Sequence, residues 1–244
     1  MSAGFLGELI NWTWVRENFL NTPVGTPSIV SATVQHVVLT IIAVAVGTAI
    51  SIPLGIQAYR RAAVYVPVTF VSGLLYTIPS LALFVLLIPL TGLSYWTVEI
   101  GLVSYTLLIL IRNVVAGLAG VPQDVKDAAR GMGMHDRQLL WRVEMPLALP
   151  VIIAGVRVAT VSTIGLVTVG AIIGIGGLGH FILDGLQTFF TTEILIGIAL
   201  TLVLALIADA LLVGIQRVLA PWFRRAHRRA PAEPGLPRPA EAAA

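Results

Sequence analysis

The chain has 244 residues, of which 57% are hydrophobic and only 11% are charged, and its net charge is +3. Its mean hydropathy of +0.93 excludes an ordinary soluble domain, because so few polar side chains could not cover a globule of this size. The lack of cysteine excludes disulfides and thiolate metal sites. The composition therefore indicates an all-α integral membrane protein.

Five apolar segments approach or exceed the ~20 residues that cross a bilayer core. They lie at roughly 32–57, 64–90, 98–119, 148–172 and 194–219. Arg60 and Arg61 follow the first segment, a charged stretch separates the third from the fourth, and the basic run RRAHRR at 224–229 follows the fifth. Because cytoplasmic loops are enriched in Lys and Arg, this pattern predicts the N-terminus outside and the C-terminus inside, and it accounts for the positive charge without a nucleic-acid partner.

The two ends of the chain differ in composition from the central region, residues 28–221, which is the predicted transmembrane domain. Residues 1–27 are expected to lie at the outer membrane interface, where aromatic and apolar side chains prefer to sit. The side chains that favour this position are Phe5, Leu9, Trp12, Trp14 and Phe19. Residues 222–244 are basic and then rich in Ala and Pro, which predicts a disordered cytoplasmic tail.

Prolines interrupt the second segment at Pro67, Pro79 and Pro89. One interpretation is a kinked packing helix, which is common in membranes. The other is that the sequence YTIPS exposes backbone carbonyls and hydroxyls to a water-filled path. That path would be lined by Tyr76, Thr77, Pro79 and Ser80.

The charged stretch at 122–147 contains the start and stop signals of two short helices. Pro122 suits the first position of a helix, Asp124 its first turn, and Gly131 or Gly133 its end. Val125, Ala128, Ala129 and Met132 recur at helical spacing, which places them on one narrow face with small side chains at its centre. A second helix is expected to start near Asp136, with an apolar side formed by Leu139, Leu140, Val143 and Leu147, and to lead through Pro146 and Pro150 into the fourth segment. An amphipathic loop packed on its own bundle is the alternative.

The spacing in this stretch resembles the EAA loop of ATP-binding-cassette importer permeases. That loop reads Glu-Ala-Ala, three residues, Gly, nine residues, Ile-x-Leu-Pro, and this chain substitutes Asp for Glu, Val for Ile and Met for Leu in the same register. The matching residues, which the resemblance identifies as the ATPase-coupling residues, are Asp127, Ala128, Ala129, Gly133, Val143, Met145 and Pro146. The stretches LLYTIPSLALF, DAARGMGM, EMPLALPVIIAGVR and IGGLGHFILDG further resemble the branch that serves osmoprotectants such as glycine betaine, carnitine and choline.

This resemblance implies a type I importer permease fold, similar to methionine permeases, in a multi-pass protein of the cell membrane. It implies a second permease subunit, identical or related, two ABC ATPase subunits inside and a substrate-binding protein outside. ATP binding would close the ATPase dimer, and the helix with Ala128 and Ala129 would ride in a groove on the ATPase. Gly133 and the second helix would pass the movement to the fourth span. ATP and Mg would bind to the partner ATPase, with no cofactor on this chain.

The sequence contains no convincing motif for catalysis or metal binding. GIGGLG at 174–179 matches a dinucleotide-binding pattern, but it follows a membrane helix rather than a strand, so a tight turn is expected. The sequence lacks a P-loop, its four histidines lack metal-ligand spacing, and no serine lies in a nucleophile motif. We therefore expect no catalytic residue and no metal site, and a transport subunit rather than an enzyme.

Three ionisable groups lie inside the predicted spans: Arg112, Arg157 and Asp209. A charge in hydrocarbon is unfavourable unless it is paired or hydrated. We hypothesise that Asp209 pairs with Arg157 or Arg112; the alternative is that each arginine extends to the interface.

Other functions remain open at this stage. The solute could be another small molecule, such as an amino acid, and the sequence does not distinguish a homodimer from a heterodimer. Tyr76 and Tyr105 could offer aromatic faces to a quaternary ammonium group, although core packing explains them equally well. A self-contained secondary carrier and a membrane scaffold are less favoured, because five spans without an inverted repeat do not fit a carrier.

Overall fold

In a computed structural model, residues 10–20 and 27–221 are described, and within these ranges the chain is helical with no strand. The helices are α1 (Trp12–Glu17), α2 (Ile29–Arg60), α3 (Ala62–Thr77), α4 (Ser80–Thr91), α5 (Tyr95–Ala119), α6 (Gln123–Gly131), α7 (Asp136–Leu139), α8 (Met145–Val169), α9 (Gly179–Thr188) and α10 (Thr191–Leu219). A π-helix, Leu140–Glu144, joins α7 to α8, and a 3₁₀-helix, Gly170–Ile173, follows α8.

The predicted spans correspond to these helices. Among the described residues, four helical stretches are long and apolar enough to cross a membrane, and they are Ile29–Arg60, Tyr95–Ala119, Asp136–Ile173 and Thr191–Leu219. The predicted second span is two helices, α3 and α4, which meet at a bend of 100° and make a fifth span if they are counted together. The all-α membrane fold with about five spans is therefore confirmed, and the orientation of the termini stays a prediction.

The closest helix packing lies between α2 and α5. Small residues recur at every fourth position of α2, at Ala43, Gly47, Ser51 and Gly55, and all four are buried. Gly55 faces Val114 of α5 so closely that a Cβ there would lie 2.6 Å from its Cγ1 atom. In lipid there is no hydrophobic driving force between helices, so they associate largely through close packing. Small residues allow this packing because they let the helix backbones approach each other.

The glycine-rich sequence at 174–179 forms the predicted tight turn. Gly174 and Gly177 take positive φ angles of 85° and 51°, which side chains other than glycine rarely adopt. Two neighbouring side chains of α2 hold this turn: the Gly177 amide donates to Gln35 Oε1 at 2.9 Å, and the Leu178 amide donates to His36 Nδ1 at 3.3 Å. The turn is therefore a structural element between α8 and α9.

The N-terminal helix α1 packs at the junction of α9 and α10. The Trp14 ring stands edge-to-face against Phe181 at 6.0 Å and Phe190 at 5.7 Å. Trp12 and Phe19 are exposed by 57% and 51%, and the placement of this segment at the outer interface stays a prediction. Of the predicted interfacial residues, Phe5 and Leu9 lie outside the described residues, as does the predicted tail at 222–244.

Candidate functional site

The charged stretch folds into two helical arms at one end of the bundle, which we call the hairpin (residues 122–147). The first arm is α6, with Asp124 in its first turn and Arg130 in its last. Pro122 is the N-cap rather than the first helical residue. Gly133 takes a φ of +82°, the left-handed conformation expected at the joint.

The second arm runs without a break into a membrane span. Helix α7 passes through the π-helix into α8, so one helical rod extends from Asp136 to Ile173. Pro146 is the second residue after the π-helix. The carbonyl four residues earlier, with which a proline ring would clash in a regular helix, belongs to the wider turn of the π-helix. Arg60 at the end of α2 donates from Nη2 to the Asp136 carbonyl at 3.1 Å. The predicted helical connection between the hairpin and the fourth span is present.

The face predicted from helical spacing on α6 is divided in the structure. Ala129 is only 2% exposed and points into the bundle, whereas Val125 and Met132 are 38% and 72% exposed and Ala128 is also exposed. The exposed members of this group are therefore Val125, Ala128 and the C-cap residue Met132. Periodicity predicts the helix, but only the rotation of α6 against the bundle decides that Ala129 is an inner residue.

The other predicted coupling residues occupy two kinds of position. Asp127 lies on the surface of α6, where its Oδ1 accepts from Gln123 Nε2 at 2.9 Å and from Arg130 Nη1 at 3.2 Å. Val143, Met145 and Pro146 are half-buried at the start of the rod. Met145 packs against a core cluster of residues from α5, the π-helix and α8.

Sequence analysis did not assign a role to Lys126, which lies on the inner side of α6. Lys126 is 6% exposed, and its Nζ donates to the Tyr59 hydroxyl at 2.8 Å and lies 3.8 Å from Glu144 Oε1. A signal was available, because Lys126 is the only lysine in the chain.

The break between α3 and α4 borders an open cavity of about 500 Å³. The Tyr105 hydroxyl donates to the Ile78 carbonyl inside the break, and the Tyr76 and Tyr105 rings meet edge-to-face at 5.7 Å. The residues that line the cavity are uncharged, and they are Tyr76, Thr77, Ile78, Pro79, Ser80, Tyr105, Ser162, Gly165 and Leu166. All four residues predicted to line a path are therefore brought together at one cavity.

Of the three predicted intramembrane charges, two form an ion pair. Arg157 of α8 donates to Asp209 of α10 from Nε at 2.8 Å and from Nη2 at 3.0 Å. Arg112 is exposed and lies outside this pair. Sequence analysis missed Glu99, which lies inside the third span, is 8% exposed and has neither carboxylate oxygen hydrogen-bonded to any described residue.

No group of three potential ligands from histidine and carboxylate side chains could hold a metal ion within residues 10–20 and 27–221. His180 of α9 is half-buried, which lowers the pKa of its imidazole, and its Nε2 accepts from the Gly176 amide at 3.4 Å. His180 therefore takes part in the glycine-rich turn.

Several characterised permeases are similar to this sequence over most of its length. It is 38% identical to the osmoprotectant import permease protein OsmW of Salmonella typhimurium, over 78% of this chain and 91% of that protein. It is 33% identical to the choline transport system permease protein OpuBB of Bacillus subtilis, over 78% and 87%. It is 37% identical to the carnitine transport permease protein OpuCB of Listeria monocytogenes, over 77% and 86%.

The fold is also similar to a solved structure. A chain of the MetNI methionine ABC transporter in an inward-facing conformation superposes with a TM-score of 0.70 at 21% identity, over 90% of this chain and 99% of that chain. Residues 47–225 match the family described as the binding-protein-dependent transport system inner membrane component. With most of its length covered by that match, and with the hairpin and broken helix in place, the chain belongs to this family of inner-membrane transport components.

Proposed function

We propose that this chain is the permease subunit of an ATP-driven importer for an osmoprotectant: glycine betaine, carnitine, choline or a related quaternary amine. The observation that carries the proposal is 33–38% identity, over 77–78% of this chain, to relatives named for osmoprotectant, choline and carnitine transport. The chain itself is a transport subunit without a P-loop, so ATP and Mg would bind to a separate ABC ATPase. An importer of another small solute remains the alternative, and the likeness to MetNI does not favour it, because that likeness concerns the fold alone.

The hairpin is the proposed contact with the ATPase, on the cytoplasmic side of the cell membrane. Val125, Ala128 and Met132 form an exposed apolar strip with a small alanine at its centre, which a groove on a partner could approach closely. The rod from Asp136 to Ile173 would carry movement from the hairpin across the membrane. Asp127 would stabilise α6, Gly133 would supply the joint, and the half-buried residues at the start of the rod, Val143, Met145 and Pro146, would anchor it to the bundle.

The cavity at the helix break is the proposed translocation path. The last carbonyls of α3 carry a partial negative charge, and the Tyr76 ring offers an aromatic face, both of which attract a quaternary ammonium group. Thr77 and Ser80 add hydroxyls, and Pro79 keeps the two helices apart. Because the cavity is open on one side, a second permease subunit, identical or related, would complete it.

The remaining assignments follow from this arrangement. Residues 28–221 form the membrane permease domain, with the N-terminus outside and the C-terminus inside. The binding protein would dock at the opposite end from the hairpin, near the glycine-rich turn and α9. Residues 1–27 and the tail from 222 would lie at the outer interface and in the cytoplasm, respectively.

Reconstitution with the co-expressed ATPase and binding protein tests the proposal. Uptake of radiolabelled glycine betaine, carnitine or choline into proteoliposomes should require internal ATP. Ala128→Arg should abolish uptake by placing a long charged side chain on the docking surface, whereas Ala63→Arg, at an exposed position of α3 on the same end of the bundle, should not. Accumulation of solute without the ATPase would contradict the proposal and favour a self-contained carrier.

A further inference from the structure

The first arm of the hairpin is held to the bundle by very few side chains. Of the nine residues of α6, only Lys126 and Ala129 are buried. Alanine buries little apolar surface, so the contact of α6 with the membrane helices depends mainly on the lysine side chain. Any force on α6 must pass through this contact or through the backbone on either side of the helix.

The Lys126 ammonium reaches three other segments of the chain. Its Nζ donates to the Tyr59 hydroxyl of α2 at 2.8 Å and to the Leu118 carbonyl of α5 at 3.4 Å. It lies 3.8 Å from Glu144 Oε1 of the π-helix, and the Tyr59 hydroxyl donates to the same oxygen at 3.3 Å. Tyr59 therefore bridges the two charges, and we call Lys126, Tyr59 and Glu144 the Lys126 network.

Both charges of this network are removed from water. Lys126 is 6% exposed and Glu144 is 5% exposed, so neither charge can leave the other without becoming an unpaired buried ion. Separation of α6 from the π-helix is therefore strongly opposed.

The resistance to separation of α6 from the π-helix matters mechanically because of where the Lys126 network lies in the hairpin. Lys126 lies on the first arm and Glu144 on the second, with Gly133 at the joint between them. A joint at a glycine with positive φ bends easily, and by itself it would absorb a push on α6 rather than transmit it. The network links the two arms across this joint.

We propose that Lys126 is a positioning residue that locks the two arms of the hairpin into one rigid lever through Tyr59 and Glu144. The lever converts a displacement of α6 into a displacement of the rod from Asp136 to Ile173. This inference rests on the proposed function, because it names the connection through which the ATPase would drive the membrane helices. Without the network, the ATPase would still displace α6, but this displacement would no longer move the rod.

The test uses the complete transporter, with ATPase and binding protein, in proteoliposomes. The measured quantity is the coupling ratio, the number of solute molecules imported per ATP hydrolysed, together with the melting temperature of the purified complex. Lys126→Met should lower the coupling ratio about tenfold or more, because α6 is then tied only through Ala129. Lys126→Arg keeps a buried positive charge and should retain most of the ratio.

The double variant Lys126→Met/Glu144→Gln separates transmission from folding. It removes both buried charges, so its melting temperature should return towards that of the wild type. Its coupling ratio should stay low, because the connection between the arms is still missing. Recovery of both quantities would overturn the proposal and assign the network to folding alone.

Two further variants complete the experiment. Arg61→Met removes an exposed positive charge at the same end of the bundle, one that has no ion pair with the described carboxylates, and it should leave the coupling ratio unchanged. A Lys126→Met ratio equal to that of Arg61→Met would also overturn the proposal.

If neither lysine variant assembles, Tyr59→Phe decides, since it keeps every charge and removes only the bridging hydroxyl. A wild-type ratio in Tyr59→Phe would then refute the network, and failure of the wild type to import any osmoprotectant would instead refute the proposed function.

Discussion

Replacement of Gly55 by alanine is expected to weaken the contact between α2 and α5. The added Cβ would lie 2.6 Å from Val114 Cγ1 and 2.7 Å from Val114 Cβ. Rotation of the valine side chain cannot relieve both contacts, because its Cβ atom is fixed to the backbone of α5. The two helices must therefore separate.

The size of the effect follows from the distances. Carbon atoms in contact lie about 3.5–4.0 Å apart, so the helices must move by about 1 Å. Overpacking of this kind costs about 1–3 kcal/mol. Replacement of glycine by alanine inside a helix also stabilises it by about 1 kcal/mol, which partly offsets that cost.

Gly214 of α10 supplies a matched control for the propensity term. A Cβ built at Gly214 has no described atom outside its own local helix backbone within 4 Å. Gly214→Ala should therefore gain about 1 kcal/mol with no clash. The difference in free energy of unfolding between the two alanine variants isolates the overpacking term, and we expect about 1–3 kcal/mol.

Denaturant or thermal unfolding of the purified protein in one detergent measures both variants against the wild type. Gly55→Ala should unfold at a lower denaturant concentration than Gly214→Ala, with an unchanged slope. Equal free energies of unfolding, within about 0.5 kcal/mol, would refute the close crossing of α2 and α5.

Three further predictions concern the polar groups within the membrane. Glu99→Leu should raise the free energy of unfolding by about 1–3 kcal/mol, because it removes a buried carboxylate that has no described partner; a destabilised variant would indicate that Glu99 does have a partner. Asp209→Ala and Arg157→Ala should be strongly non-additive in a double-mutant cycle of unfolding, whereas Asp209→Ala and Arg112→Ala should be additive; the reverse pattern would contradict the observed pair. Tyr76→Ala should raise the half-saturating concentration of a quaternary amine about tenfold, and Tyr76→Phe much less, because the phenylalanine keeps the aromatic face; equal effects in uptake assays would remove the ring from the path.

The hairpin shows how far local sequence signals extend. Helix ends follow from residues that act on their own backbone: Asp124 in the first turn of α6, Gly133 with its positive φ, and Pro146 where α8 begins. These preferences operate over a few residues, so the two arms and their joint were predictable. The inward orientation of Ala129 was not predictable, because the rotation of α6 about its axis depends on its contacts with the bundle.

Apolar length likewise predicted the spans, since about 20 apolar residues are needed to cross a bilayer core. In a membrane, the hydrophobic pattern does not identify which side of a helix packs inside the bundle. Helix α10 is predominantly apolar and largely exposed, so its sequence does not specify which arginine-bearing helix meets Asp209. The choice of Arg157 over Arg112 as the partner of Asp209 therefore depended on the packing of whole helices.

By itself, the sequence determined where helices begin, end and cross the membrane, because those properties depend on neighbours along the chain and on the solvent. Only the tertiary structure decided which polar groups meet: Lys126 with Tyr59 and Glu144, and Arg157 with Asp209. These partners are separated by up to 67 residues in sequence and lie on helices whose mutual rotation no local pattern specifies. In a low-dielectric interior such pairs are strongly preferred over unpaired charges, which is why the folded bundle brings them together.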